Sequence, residues 1–242
     1  MTISGTSEGS ARTAARSLVA EGRFEEAWRL ARSSLLAQPT PTALAVAGNV
    51  LRAGRKAGFI PAGSRRARLA ILCSYEAASL VEALEVACAA LSIEAELHLA
   101  PYGQLEQELL VDHGPLAEFA PTHVLIAPST ADLGLPELAD EQDAPDLVRT
   151  AAGRWQRLWE LVRERHGATV LQHTFVVPEL TPLGHMSMRL AGSRVSMIRE
   201  LNRQLGESAG SSVLLVDCER LAADAGKRSW QDPRLWFGAR QP

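Results

Sequence analysis

Paired cysteines are missing from this chain. Its three, Cys73, Cys88 and Cys218, stand far apart and form no CxxC, which removes a zinc signature and a disulfide scaffold and fits a reducing compartment. The N-terminal MTISGTSEGS lacks the basic-then-apolar pattern of a secretory leader, and no apolar run reaches the roughly 20 residues that span a bilayer. A cytoplasmic protein without membrane association is therefore expected. Strong charge of one sign is absent as well: 25 Lys and Arg against 28 Asp and Glu leave a net charge of −3, with no global basic field to draw nucleic acid. The one local cluster of cations, RKAGFIPAGSRRAR from Arg55 to Arg68, reads as a solvated linker. Phosphate-cradling loops of the GxxxxGK[ST] or GxGxxG type do not occur, since AAGR and LAGS are isolated glycines. With no HExxH and no histidines paired at metal spacing, neither a cofactor nor a metal is expected.

What is present suits a soluble globular fold. The chain has 242 residues, 46% hydrophobic and 22% charged, enough for one α/β domain with a smaller helical appendage. Apolar residues first recur at three- and four-residue spacing, which predicts helices over 11–21, 24–37 and 40–52, broken at Gly22 and at Pro39 and Pro41. The stretch EGRFEEAW resembles one tetratricopeptide-type helix-turn-helix, but solenoids need about three such units. A helical cap or homo-oligomerisation element over residues 1–62 is the expectation. From Arg68 the pattern becomes short apolar runs alternating with amphipathic stretches, as in a parallel sheet with crossover helices. Strands are predicted at 68–74, 95–100, 123–128, 168–175 and 212–217. The result for 63–242 is an α/β domain, a three-layer doubly wound parallel sheet of the flavodoxin or SGNH-hydrolase type. In RWQRLWELV, Trp155 and Trp159 fall at helical spacing and read as core.

Ligands of such sheets bind beyond the carboxyl ends of the strands. Those ends carry Ser74 and Tyr75, Gly103 and Gln104, Ser129 and Thr130, His173 and Thr174, and Asp217 with Cys218, Glu219 and Arg220. Ser74, on a strand-to-helix turn, is the natural nucleophile, with helix amides or Gly103 as oxyanion donors and His173 as an unconventional base. An SGNH-type hydrolase would supply its acid and base from a late DxxH. Here the matching stretch is Asp217-Cys218-Glu219-Arg220, and an arginine stays protonated at neutral pH and cannot act as the base. The residues that line a ligand pocket are thus expected to be Tyr75, Gly103, Gln104, Ser129 and Asp217. LLVDCER also opens like a haloacid-dehalogenase-type phosphatase, yet its DxD would need an aspartate where Glu219 stands.

Several blocks together resemble the N-terminal, SGNH-like region of FkbH-like proteins, which carry a haloacid-dehalogenase-type domain of subfamily IIIC. They are LAILCSYEAASLVEALEVACAALSIEAELHLAPYGQLEQELL, VLQHTFVVPELTPLG, GSRVSMIRELNRQL and VLLVDCERLAADAGKRSWQDPRLWFGARQP, and they span about residues 65 to 242. Cys73 and Glu76 depart from the glycine and threonine usual there. The resemblance implies a role in carrier-protein-linked natural-product biosynthesis, where the family takes a glyceryl unit from 1,3-bisphosphoglycerate and loads it onto an acyl carrier protein. The reacting residues of that family lie in a phosphatase-like domain following the tryptophan-rich segment, and none matches here. Expected partners are therefore an acyl carrier protein or a phosphatase-like domain in cis or in trans. Arg65, Arg66 and Arg234 are candidate docking charges, and Trp230 and Trp236 either pack on the sheet or face the partner. Without the usual dyad, the chain reads as a recognition or scaffolding domain, the alternative being an esterase or acyltransferase using Ser74.

Overall fold

The computed structural model describes residues 4–63, 65–231 and 234. In chain order the elements are α1 (Ser4–Ala20), α2 (Phe24–Ala37), α3 (Pro41–Lys56), β1 (Arg65–Cys73), α4 (Ala78–Ala90), β2 (Ile93–Leu99), α5 (Leu105–Leu110) and α6 (Pro115–Phe119). There follow β3 (His123–Ala127), α7 (Ala144–His166), β4 (Thr169–His173), α8 (Arg194–Ser208), β5 (Val213–Val216), α9 (Cys218–Ala225) and α10 (Lys227–Trp230). The five strands form a parallel sheet in the order β2-β1-β3-β4-β5. This is the doubly wound order in which the direction of winding reverses between β1 and β3, leaving a crevice at their carboxyl ends. The expected α/β class and all five strands are present.

Packing divides the chain into two compact units, residues 1–67 with 78–97, and residues 68–77 with 98–242. In the first, α1, α2, α3 and α4 share a core of small residues, Ala15, Ala27, Ala31, Ala43 and Ala47, around Trp28, Leu35, Val50 and Leu51. Thr40 caps α3 by accepting from the Ala43 amide at 3.1 Å, supplying an acceptor for a helix-end donor that would otherwise have none. The helix runs on past the expected end at Arg52 because Gly54 seats directly under Phe59, whose Cδ1 would lie 2.8 Å from any added Cβ. Hence the stretch read as a solvated linker is partly structured: α3 occupies it to Lys56, β1 begins at Arg65, and Phe59 stacks on Phe24.

The second unit is built on β strands whose apolar runs are buried on both faces. Leu69 to Cys73 and Val124 to Ala127 are all buried, as expected for interior parallel strands. Register places Cys73 beside Ala127 and Gln172 beside Leu215. Helix α7 brings Trp155, Leu158, Trp159 and Val162 into the core, so the tryptophan pair is core as its spacing implied. Trp155 tilts against Phe175, while the Trp159 indole donates to the fully buried Gln172 side chain at 3.0 Å. That bond places a polar strand residue where an apolar one would be expected, at no cost in unsatisfied groups.

Candidate site at the strand ends

The loops after β3 and β4 are long, and a set of side-chain bonds fixes them. Asn202 on α8 donates to the Phe175 carbonyl at 2.8 Å and accepts from its amide at 2.9 Å. Thr130 donates to the Val176 carbonyl at 2.8 Å, and Glu219 accepts from the Val177 amide at 2.7 Å while pairing with Lys227. Gly192 meets the Ala139 carbonyl so closely that a Cβ would lie 2.0 Å from its oxygen. At that point the two loops form a bridge between Leu138 and Ser193, backed by Arg194 on Glu137. The segment after β4 is thus held from three directions.

Beyond these strand ends lies a cavity of about 50 Å³ whose lining includes Tyr75, Ser129, Thr130, His173, Cys218 and Trp230. Such a space admits a few waters or the tip of a ligand. The structure therefore brings together three of the residues singled out from sequence for catalysis or ligand binding, Tyr75, Ser129 and His173. Thr130, Cys218 and Gln231 also line it; their position at strand ends or just after α10 was the available signal. Gly103, at φ +71, and Gln104 sit in the exposed turn after β2 and are not among its lining residues. Nor is Asp217, which serves as the N-cap of α9 and accepts from the Arg220 amide at 3.0 Å.

Charge is absent from this lining. Burial lowers the His173 pKa to about 4, and among the described residues its ring has no hydrogen-bond or ion-pair partner. Burial, and then the charge of Asp217, pushes the Cys218 thiol up to about 11; burial likewise raises the Tyr75 phenol. At neutral pH the cavity consequently offers a neutral imidazole, a neutral thiol, a phenol and hydroxyls, all capable of hydrogen bonding and none able to balance an anion.

Ser74 is half-buried, and its hydroxyl oxygen accepts from the Ser129 amide at 2.8 Å. The same amide donates to Asp132 at 2.7 Å, and the Ser129 hydroxyl accepts from the Ala131 amide at 3.2 Å. These bonds make a capping box that starts the short 3-10 turn 130–133. The amide nearest the serine is therefore engaged in the resting state, where an oxyanion hole would hold it open. No carboxylate contributes to the His173 shift, so the orienting acid of a catalytic triad has no counterpart at this imidazole.

Of the residues expected to meet a partner, Trp230 lines this cavity, while Arg65 and Arg66 are not among its lining residues. Arg65 is exposed at the start of β1, and Arg66 beside it pairs with Glu94 at 3.0 Å. Trp230 is half-buried against Val176, Cys218 and Ala222. Arg234 is exposed, and Trp236, with Leu235 and Phe237, lies outside the described residues. Among the described residues no group of three His, Cys, Asp or Glu side chains is placed to hold a metal, and no helix is long and apolar enough to cross a membrane.

No protein-family model and no curated protein matches this sequence. Among solved structures, the chain is similar to the N-terminal part of the protein BF1531 from Bacteroides fragilis, a structure containing a phosphatase domain and complexed with Mg. The TM-score is 0.61 at 18% identity, over 73% of this chain and 46% of that one. The likeness supports the α/β fold, and the chain spans less than half the length of that neighbour.

Proposed function

We propose that this chain is a ligand-holding, non-hydrolytic α/β module of an FkbH-like protein. In this reading it works with a phosphatase-like domain, in cis or in trans, and with an acyl carrier protein bearing a glyceryl or other acyl unit. The fold it shares with the N-terminal part of a phosphatase-domain protein supports the first half of that reading. The observation that supports the non-hydrolytic claim is the Ser74 hydroxyl tied to the Ser129 amide, together with a His173 imidazole to which no carboxylate contributes. Nucleophilic serines need a base in reach, oriented by a third group. A fluorophosphonate probe should leave wild type unlabelled at Ser74; labelling that disappears in Ser74→Ala would refute the non-hydrolytic reading. Mixing the chain with a cognate carrier protein should give a complex that weakens with salt, and no complex at low salt would remove the carrier-protein role.

One observation favours an esterase or acyltransferase as the second reading. His173 lines the same cavity as Ser129, and Ser129 touches Ser74. The labelling experiment separates the two readings directly.

A further inference from the structure

Within the helical unit, a groove of about 990 Å³ runs between α1 and α3. It starts at the first turn of α3, Pro41 and Thr42, and continues along Ala45, Val46 and Asn49, facing Arg12, Ala15, Arg16 and Val19 of α1. The lining spans residues 12–19 of α1 and 41–50 of α3, which at about 1.5 Å per residue gives it the length of roughly two to two and a half helical turns. The exposed Ala45 lets a third backbone approach α3 closely, and the half-buried Val19 and Val46 offer apolar area for it to cover.

The charge of the groove is one-sided. Among the described residues no acidic side chain lines it. Elsewhere in the unit Arg23, Arg29, Arg52, Arg55 and Arg66 each meet a glutamate and Arg32 donates to the Ala90 carbonyl at 2.6 Å, while the exposed Arg65, like the two arginines of the groove, meets no carboxylate among the described residues. Arg12 and Arg16 have no ion-pair partner among the described residues. The first turn of α3 carries no acid either, so the positive end of that helix dipole adds to the two guanidiniums. No aromatic residue lines the groove for base stacking, which a single-stranded nucleic acid would use, and two cations are few for a phosphate backbone.

We infer that the α1–α3 groove docks an acidic amphipathic helix of a partner protein, with its apolar face on the alanine and valine floor and its carboxylates on Arg12 and Arg16. The full chain can be tested with a fluorescein-labelled amphipathic helix of about 16 residues, two to three turns longer than the groove, bearing glutamates beside a leucine and alanine face. A matched peptide with lysines in place of the glutamates and a single-stranded oligonucleotide serve as comparisons. The glutamate peptide should bind about tenfold more tightly than the lysine peptide, with the preference reversed in the double variant Arg12→Glu/Arg16→Glu. Ala45→Trp, which fills the floor without altering charge, should abolish binding of the glutamate peptide, and circular dichroism checks that both variants keep their helices. Equal binding of the two peptides, tighter binding of the oligonucleotide, or failure of the glutamate peptide to bind would each overturn the inference. So would self-association of the chain that is lost in both variants, which would make the occupant a second copy.

Discussion

His173 provides the most direct test of the site, because its ionisation reports whether a carboxylate faces it. Burial holds its pKa at about 4 in the fold, against 6.5 for an ordinary imidazole. The fold thus favours the neutral ring, and as pH falls the unfolded chain takes up the proton first. The stability this contributes is present above the unfolded value, drains away between pH 6.5 and about 4, and is constant below that. Between about pH 7.5 and pH 4.5 the two values give a loss of roughly 2–3 kcal/mol from this one residue. His173→Gln removes the titration while keeping a polar side chain in the cavity. Urea unfolding of wild type and variant at the two pH values should show wild type losing roughly 2–3 kcal/mol more than the variant, since all other titrating groups are common to both. Direct observation of the ring protons by NMR gives the pKa itself. Parallel losses in the two proteins, or a ring that titrates at or above 6.5, would refute the reasoning, because a raised value requires an opposing negative charge and would restore a catalytic dyad.

Three further substitutions test the scaffold around the cavity. Asp217→Ala should cost about 1 kcal/mol by uncapping α9 while Asp217→Asn stays within about 0.5 kcal/mol, measured by chemical denaturation; equal losses would mean that the charge itself matters. Gly192→Ala forces Ala139 away and should destabilise by roughly 1–3 kcal/mol, with the loop 134–143 becoming the first site of limited proteolysis. Trp159→Phe leaves the buried Gln172 carbonyl without its donor, which should cost about 1–3 kcal/mol in unfolding free energy in addition to the packing lost with the smaller ring.

The strands were legible because interior parallel strands carry near-continuous apolar runs, and RLAILC and HVLIA have no other physical use in a chain of this composition. Among the short helices, α6, α9 and α10 were not. Helix α6 covers only Pro115–Phe119, and α9 begins on the very aspartate that chemistry had claimed, since the sequence DCER suits a helix cap as well as a failed catalytic motif. Helix α1 begins at Ser4 rather than at residue 11 because serine, threonine and glutamate in the first turns are compatible with helix while giving no apolar period to detect. Sequence named Tyr75, Ser129 and His173, which line one cavity, but could not reveal that Ser74 and Ser129, 55 residues apart, bond to each other. That bond depends on β1 lying beside β3, a fact of strand order that no local pattern encodes. Gly103 and Gln104 occupy an equally plausible strand end, after β2 rather than β3, β4 or β5, and the cavity forms without them.

The polar residues at these strand ends share a property that bears on what the cavity can do. Thr130, Asn202 and Glu219 each use their side chains to hold the backbone between Phe175 and Val177, Asp217 holds α9, and the Ser129 amide is divided between Ser74 and Asp132. Hydrolysis would require some of these donors to turn toward an oxygen gaining negative charge, breaking bonds that fix the loops before any stabilisation of a transition state is gained. Recognition requires no such exchange, because the cavity is already shaped and its free groups are the neutral ones. A hydroxyl or amide group of a ligand could bond to the His173 imidazole with no reorganisation, whereas a phosphate would enter a lining that supplies no cation to meet it. The uncharged lining therefore suits a neutral polar group better than a phosphate.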